Sequence, residues 1–145
     1  MKTVKIRNIN LGEVLPKIAV PNVGSNEEEI LAAAKDIVAA KPDLMEWRID
    51  YYTDGINDHD KLIETAKKLR STVGELPILV TFRTKSEGGD QELNEQNYFK
   101  LLQTVIEHRL GDAIDIELFH DEVQIKSLLK LAHNYGLVVI MSNHD

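Results

Sequence analysis

Four short stretches set ionisable side chains at the ends of apolar runs. They are "EWRID" (residues 46–50), "TFRTKSEGG" (81–89), "DIELF" (115–119) and "MSNHD" (141–145). Together they supply Glu46, Arg48, Arg83, Glu87, Asp115, Glu117 and His144. Histidine changes charge near neutral pH, so it suits proton transfer. Guanidinium groups suit an anionic, oxygen-rich small molecule. A strand that delivers a histidine and an aspartate at its tip has the look of an active-site rim. Each part also has a plainer reading. A Glu-x-Arg on a strand can be a structural ion pair, His144 a residue at a chain end, and Asp115 with Glu117 an exposed edge.

Something must position these residues, and the sequence spells out a strand–helix alternation. Residues 17–21 read as a strand. A helix follows, with Ser25 and Glu28 at capping-box spacing and Ile30, Leu31, Ala34, Ile37 and Val38 at helical period. Next come a strand over 43–50 and a helix over 59–73, stopped by Gly74. A strand over 77–83 leads to a helix from about Asn94 to Gly111. A strand over 112–119, a helix over 121–135 and a strand over 137–145 complete the chain. Five strands separated by four helices are βα units, which build parallel sheets through right-handed crossovers.

Two α/β architectures suit such units, and the strand faces choose between them. Met45, Trp47 and Ile49 share one face of their strand; Glu46, Arg48 and Asp50 share the other. Ile78, Val80 and Phe82 oppose Thr81 and Arg83, and Ile114 and Ile116 oppose Asp115 and Glu117. In the last strand Val138, Ile140, Ser142 and His144 share a face, while polar Asn143 interrupts the other. A doubly wound, flavodoxin-like sheet covers both faces with helices and needs strands that are apolar throughout. Charges under those helices would be costly unless each were paired. A (β/α)8 TIM barrel removes the conflict, because its inner face holds a polar site near the C-terminal strand ends. The expected fold is therefore a partial barrel of about five parallel strands and four helices.

Composition narrows the partners. The 145 residues fit one domain, and 43% hydrophobic with 28% charged residues is an ordinary globular balance. Seventeen basic against 24 acidic residues give a net charge of −7, which argues against a nucleic-acid partner. With no cysteine, neither a disulfide framework nor a thiolate metal site is available. No apolar run approaches the ~20 residues that span a bilayer, so no membrane partner is expected. "MKTVKIRNINLGE" lacks the apolar core of a signal peptide, so the expected location is the cytoplasm.

In their order and spacing the four stretches, with the opening "MKTVKIRNINLGEVLPKIAV", resemble the type I 3-dehydroquinate dehydratases, lyases of the shikimate pathway. The family fold is a TIM barrel, usually of about 250 residues. The resemblance thus implies a single domain matching the N-terminal part of that barrel, truncated after the fifth strand and its catalytic histidine. It implies a reaction in which a lysine amine condenses with the C3 ketone of 3-dehydroquinate. His144 then takes a C2 proton and assists loss of the C1 hydroxyl as water, giving 3-dehydroshikimate. Glu87 would hydrogen-bond His144, Arg48 and Arg83 would hold substrate oxygens, and Glu46 would bind a hydroxyl and orient Arg48. Neither a metal nor an organic cofactor is implied.

The family's Schiff-base lysine belongs to the next strand. Lys85 sits in a loop whose flanks do not match that site, and it reads as a solvated anion attractor. The 145 residues alone are therefore expected to be inactive. Some relatives place a serine where this chain has Pro21, which puts a substrate contact there in doubt. A partial barrel exposes strand edges, so self-association, as a homodimer, is expected. Two other readings stand beside the lyase. One is a non-catalytic flavodoxin-like binding module, although "PNVGSNEEE" after the first strand lacks a glycine-rich phosphate fingerprint. The other is a half-barrel that completes itself by pairing.

Overall fold

The computed structural model describes residues 4–6, 9–11, 18–84, 94–117 and 121–142. A short antiparallel hairpin comes first, with β1 (Val4–Ile6) paired to β2 (Ile9–Leu11). It adds to the elements read from the sequence, because three-residue strands are too short to display an alternation. The main sheet holds β3 (Ala19–Asn22), β4 (Leu44–Arg48), β5 (Ile78–Thr81), β6 (Ala113–Glu117) and β7 (Val138–Ser142). The helices are α1 (Glu27–Ala39), α2 (Thr53–Asn57), α3 (His59–Val73), α4 (Glu95–Glu107) and α5 (Glu122–Asn134). A 3-10 turn, Ile49–Tyr51, follows β4 directly, and neither it nor α2 was expected.

Every strand of the main sheet is parallel to its neighbour, and the order is β3-β4-β5-β6-β7. A flavodoxin-like sheet would place its first strand between the second and the third. Sequential order with a helix after each strand is the winding of a barrel wall. The packing agrees. Met45, Trp47, Ile78, Val80, Ile114 and Ile116 share one apolar cluster with Ile30, Leu62, Leu102 and Leu128 of the helices. On the opposite face Leu44, Leu79 and Ala113 form a separate cluster with Val138 and Ile140, and no helix residue joins it. The helices thus cover one face only, which discards the doubly wound alternative.

Several boundaries differ from expectation for local reasons. The cap of α1 is Asn26, whose Oδ1 accepts from Glu29 N at 2.8 Å, rather than Ser25. Glu29, not Glu28, closes the box, accepting from Ser25 N (3.0 Å) and Ser25 Oγ (2.7 Å). Asparagine caps as well as serine does, and this register lets both side chains be used. The helix over 59–73 has its expected limits, capped by Asp58 and closed by Gly74 at φ +63°. Helix α4 stops at Glu107 rather than running to Gly111, and Arg109 takes φ +48°. Gly111 itself is needed for close approach: a Cβ there would lie 2.7 Å from Val80 Cγ2 and 2.8 Å from Ile78 O.

Candidate active site

The inner face of the sheet changes character from one end to the other. Its N-terminal part is the apolar cluster of Leu44, Leu79 and Ala113. Two residues further along each strand the side chains become polar: Glu46, Thr81 and Asp115. The strand ends add Arg48, Arg83, Glu117 and Ser142. This layering follows from a period of two in parallel strands, with the register fixed by pairs such as Arg48 with Thr81 and Glu117 with Ser142.

Hydrogen bonds knit the polar layer together. Thr81 Oγ1 donates to Glu46 Oε2 at 2.9 Å. Arg83 is nearly buried, at 9% exposure. Its Nη1 donates to Asp115 Oδ2 (3.0 Å), Glu117 Oε2 (3.3 Å) and Ser142 Oγ (2.8 Å). Ser142 Oγ passes a hydrogen bond on to Asp115 Oδ2 at 2.8 Å. Glu117 Oε2 also accepts from Thr84 N at 3.1 Å, and Glu117 N donates to Tyr98 Oη at 3.1 Å. Burial pushes the Asp115 carboxyl above its ordinary value, an effect that Arg83 and Ser142 only partly oppose. Burial likewise pushes up the Tyr98 hydroxyl, which stays protonated.

The second arginine is held differently. Asp50 accepts from Arg48 Nε at 2.9 Å and Nη2 at 2.8 Å, a bidentate fork. The hydrogen bond from Asp50 is the main cause that raises the Arg48 pKa, with the Glu46 charge a lesser one. The Tyr51 ring lies 5.1 Å from the guanidinium carbon, a cation–π distance. The carboxylate hydrogen-bonded to Arg48 is thus Asp50, while Glu46 accepts from Thr81. The strand-face reading puts Asp50 beside Arg48, as the structure does, although β4 ends at Arg48 and Asp50 is carried by the 3-10 turn that follows.

Glu46, Arg48 and Arg83, chosen from the sequence, thus meet at one end of one sheet face, linked through Thr81 and Asp50. Glu87, His144, Lys85 and Asn143 lie outside the described residues. Ser142 and Thr81 had been placed on the polar face without a role. No sequence signal distinguishes Tyr98 from its apolar neighbours on α4. Among the described residues, no group of three His, Cys, Asp or Glu side chains is arranged to hold a metal ion. Clefts between helices, such as those lined by Asn57, His59 and Lys100 or by Ile63, Arg70 and Arg109, contain none of the rim charges. They lie between helices of the outer layer, whereas the charged set lies on the opposite side of the sheet.

Sequentially wound βα units, an apolar inner layer and a charged set at the C-terminal strand ends define part of the wall of a TIM barrel. The family model described as type I 3-dehydroquinase matches residues 18–145, and the chain belongs to that family. The 3-dehydroquinate dehydratase of Lactiplantibacillus plantarum is 46% identical over 142 residues, covering 98% of this chain and 56% of that protein. That of Bacillus subtilis is 38% identical over 145 residues, covering 100% and 56%. Among solved structures, the type I enzyme of Clostridium difficile with covalently modified comenic acid superposes with a TM-score of 0.94 at 35% identity. The match covers 99% of this chain and 56% of that one. The Enterococcus faecalis enzyme gives 0.92 at 36% identity, over 98% and 59%. The chain therefore spans about half the length of the relatives it matches.

Proposed function

We propose that this chain carries the substrate-holding and proton-transfer groups of a 3-dehydroquinate dehydratase. The observation that supports it is the convergence of Glu46, Arg48 and Arg83 at the C-terminal strand ends, in a chain so similar to enzymes of that name. Arg48 and Arg83 face the substrate carboxylate and hydroxyl oxygens, and Glu46 accepts from a hydroxyl. A lysine amine and the C3 ketone give an iminium and water. His144, oriented by Glu87, removes the C2 proton, and the electron pair moves toward the iminium. The same imidazolium then returns a proton to the departing C1 hydroxyl, which leaves as water while C1=C2 forms. Hydrolysis frees 3-dehydroshikimate and the amine.

Apart from Lys5 in β1, the described lysines, such as Lys61, Lys68, Lys100 and Lys126, lie on or beside helices, and none is on a strand of the main sheet. We therefore assign the amine to a part of the protein outside the described residues, and take the domain to be the N-terminal portion of a barrel that is inactive by itself. A cytoplasmic homodimer fits this reading. Among the described residues no helix is long and apolar enough to cross a membrane. The two outermost strands expose apolar side chains, Ile18 beside β3 and Met141 on β7.

The test uses the protein in the form the cell makes, with its intact mass measured against 16.4 kDa for these residues. It should dehydrate 3-dehydroquinate, seen as the ultraviolet absorbance of the conjugated product, and borohydride should trap substrate on a lysine. The isolated 145-residue chain should do neither. A cell-made form that leaves 3-dehydroquinate unchanged overturns the proposal. An isolated chain that matches its rate, or is trapped on Lys85, overturns the assignment of the amine.

A further inference from the structure

Asp50 is completely buried, yet it is neither a core residue nor a group that the reaction above employs. Its two oxygens serve two strands. Oδ1 accepts from Arg48 Nε at 2.9 Å and from the backbone N of Arg83 at 3.2 Å, and Oδ2 accepts from Arg48 Nη2 at 2.8 Å. One carboxylate therefore fastens the end of β4 to Arg83, the second residue past β5. The 3-10 turn makes this reach possible: Tyr52 N donates to Ile49 O at 2.9 Å, which folds Asp50 back toward Arg48.

We infer that Asp50 is a positioning residue that sets the spacing and aim of both rim arginines; the inference rests on the function proposed above. With Nε and Nη2 given to Asp50 and Tyr51 beneath the plane, the guanidinium of Arg48 has one edge left. Among the described residues Nη1 has no hydrogen-bond partner, and the side chain keeps 18% exposure. That free edge is the one that addresses a substrate oxygen. A long arginine held in place before binding loses little rotamer freedom when the ligand arrives. The bond to Arg83 N extends the same control to the second arginine through its backbone, while Asp115, Glu117 and Ser142 hold its head group.

A residue that only closed the turn would make the same contacts, so the experiment separates the two roles. D50N, R48A and the double variant are prepared in the protein as the cell makes it. Steady-state kinetics with 3-dehydroquinate, thermal melting and the NMR signal of Arg48 Nε–H are recorded for each. D50N should raise KM about 10- to 100-fold while kcat changes less, and the Arg48 Nε–H signal should be lost. Added to R48A, D50N should raise KM by clearly less than it does in the wild type, because the route through Arg48 is already gone and only the bond to Arg83 N remains to be lost. D50E keeps the charge on a longer arm and serves should D50N not fold; it too should raise KM.

A wild-type KM in D50N or D50E, with R48A impaired, overturns the inference and leaves the proposed function standing. Independent, multiplying effects of D50N and R48A place Asp50 in the turn alone and also overturn it. A wild-type KM in R48A itself brings down both the inference and the function on which it rests.

Discussion

Replacing Arg83 by methionine leaves two carboxylates without their shared cation. Nη1 of Arg83 lies 3.0 Å from Asp115 and 3.3 Å from Glu117, and those residues are 3% and 0% exposed. Removing one partner of a buried ion pair costs about 3–5 kcal/mol. Ser142 Oγ and Thr84 N still donate to the two carboxylates, so the lower end, about 3 kcal/mol, is expected. For a chain of this length that is about 10 °C in Tm. The loss should depend on pH. The Asp115 pKa is already raised by burial, and Arg83 is the largest influence pulling it down. Without Arg83 it rises further. A raised folded-state pKa means that the folded protein holds its proton more tightly than the unfolded chain does. The associated stability is fully present below the ordinary value of 3.8 and is lost as pH climbs through the folded value. The penalty of R83M should therefore be largest near neutrality and shrink as the solution is acidified. Urea unfolding of wild type and R83M at pH 7 and pH 5 measures it. A penalty below about 1 kcal/mol at pH 7, or one that does not shrink at pH 5, refutes the reasoning.

Four further substitutions probe the scaffold. Gly111→Ala should destabilise by about 2 kcal/mol in urea unfolding, because its Cβ would meet Ile78 O and Val80 Cγ2. Asn26→Ala should cost about 1 kcal/mol, the usual value of an N-cap; Ser25→Ala should cost less, since Asn26 is the capping residue. Trp47→Phe should cost under about 2 kcal/mol despite complete burial, in a thermal melt of both proteins. Trp47 Nε1 has no hydrogen-bond partner among the described residues, so losing that N–H offsets part of the lost volume.

The alternation of strands and helices was legible because each helix announces itself with an apolar stripe and each strand is short and β-branched or aromatic. The limits of the helix over 59–73 could be read directly, since Asp58 and Gly74 bracket it. The choice of a barrel wall over a doubly wound sheet was legible too, from Glu46, Thr81, Asp115 and Ser142 all falling on one side of their strands. Partnership between charges was not. Arg83 reaches Asp115 and Glu117 because Val80 pairs with Ile114, and a register between strands is set by packing across the sheet rather than by either strand alone. The pairing of Asp50 with Arg48 and Arg83 was hidden for a similar reason, although its side of the strand was read correctly. Counting by twos puts it beside Arg48 on a strand that in fact ends two residues earlier.

The proposed function puts 3-dehydroquinate over the C-terminal ends of β4, β5, β6 and β7. An NMR titration of the cell-made protein with 3-dehydroquinate tests it most directly, read at the side-chain Nε–H signals of Arg48 and Arg83 and at every assigned backbone amide. Saturable shifts at both arginines and at Thr81, Thr84 and Ser142, with the helical clefts undisturbed, are the predicted result. Shifts confined to the clefts around His59 or Arg109, or no shift from a folded protein, would contradict the account.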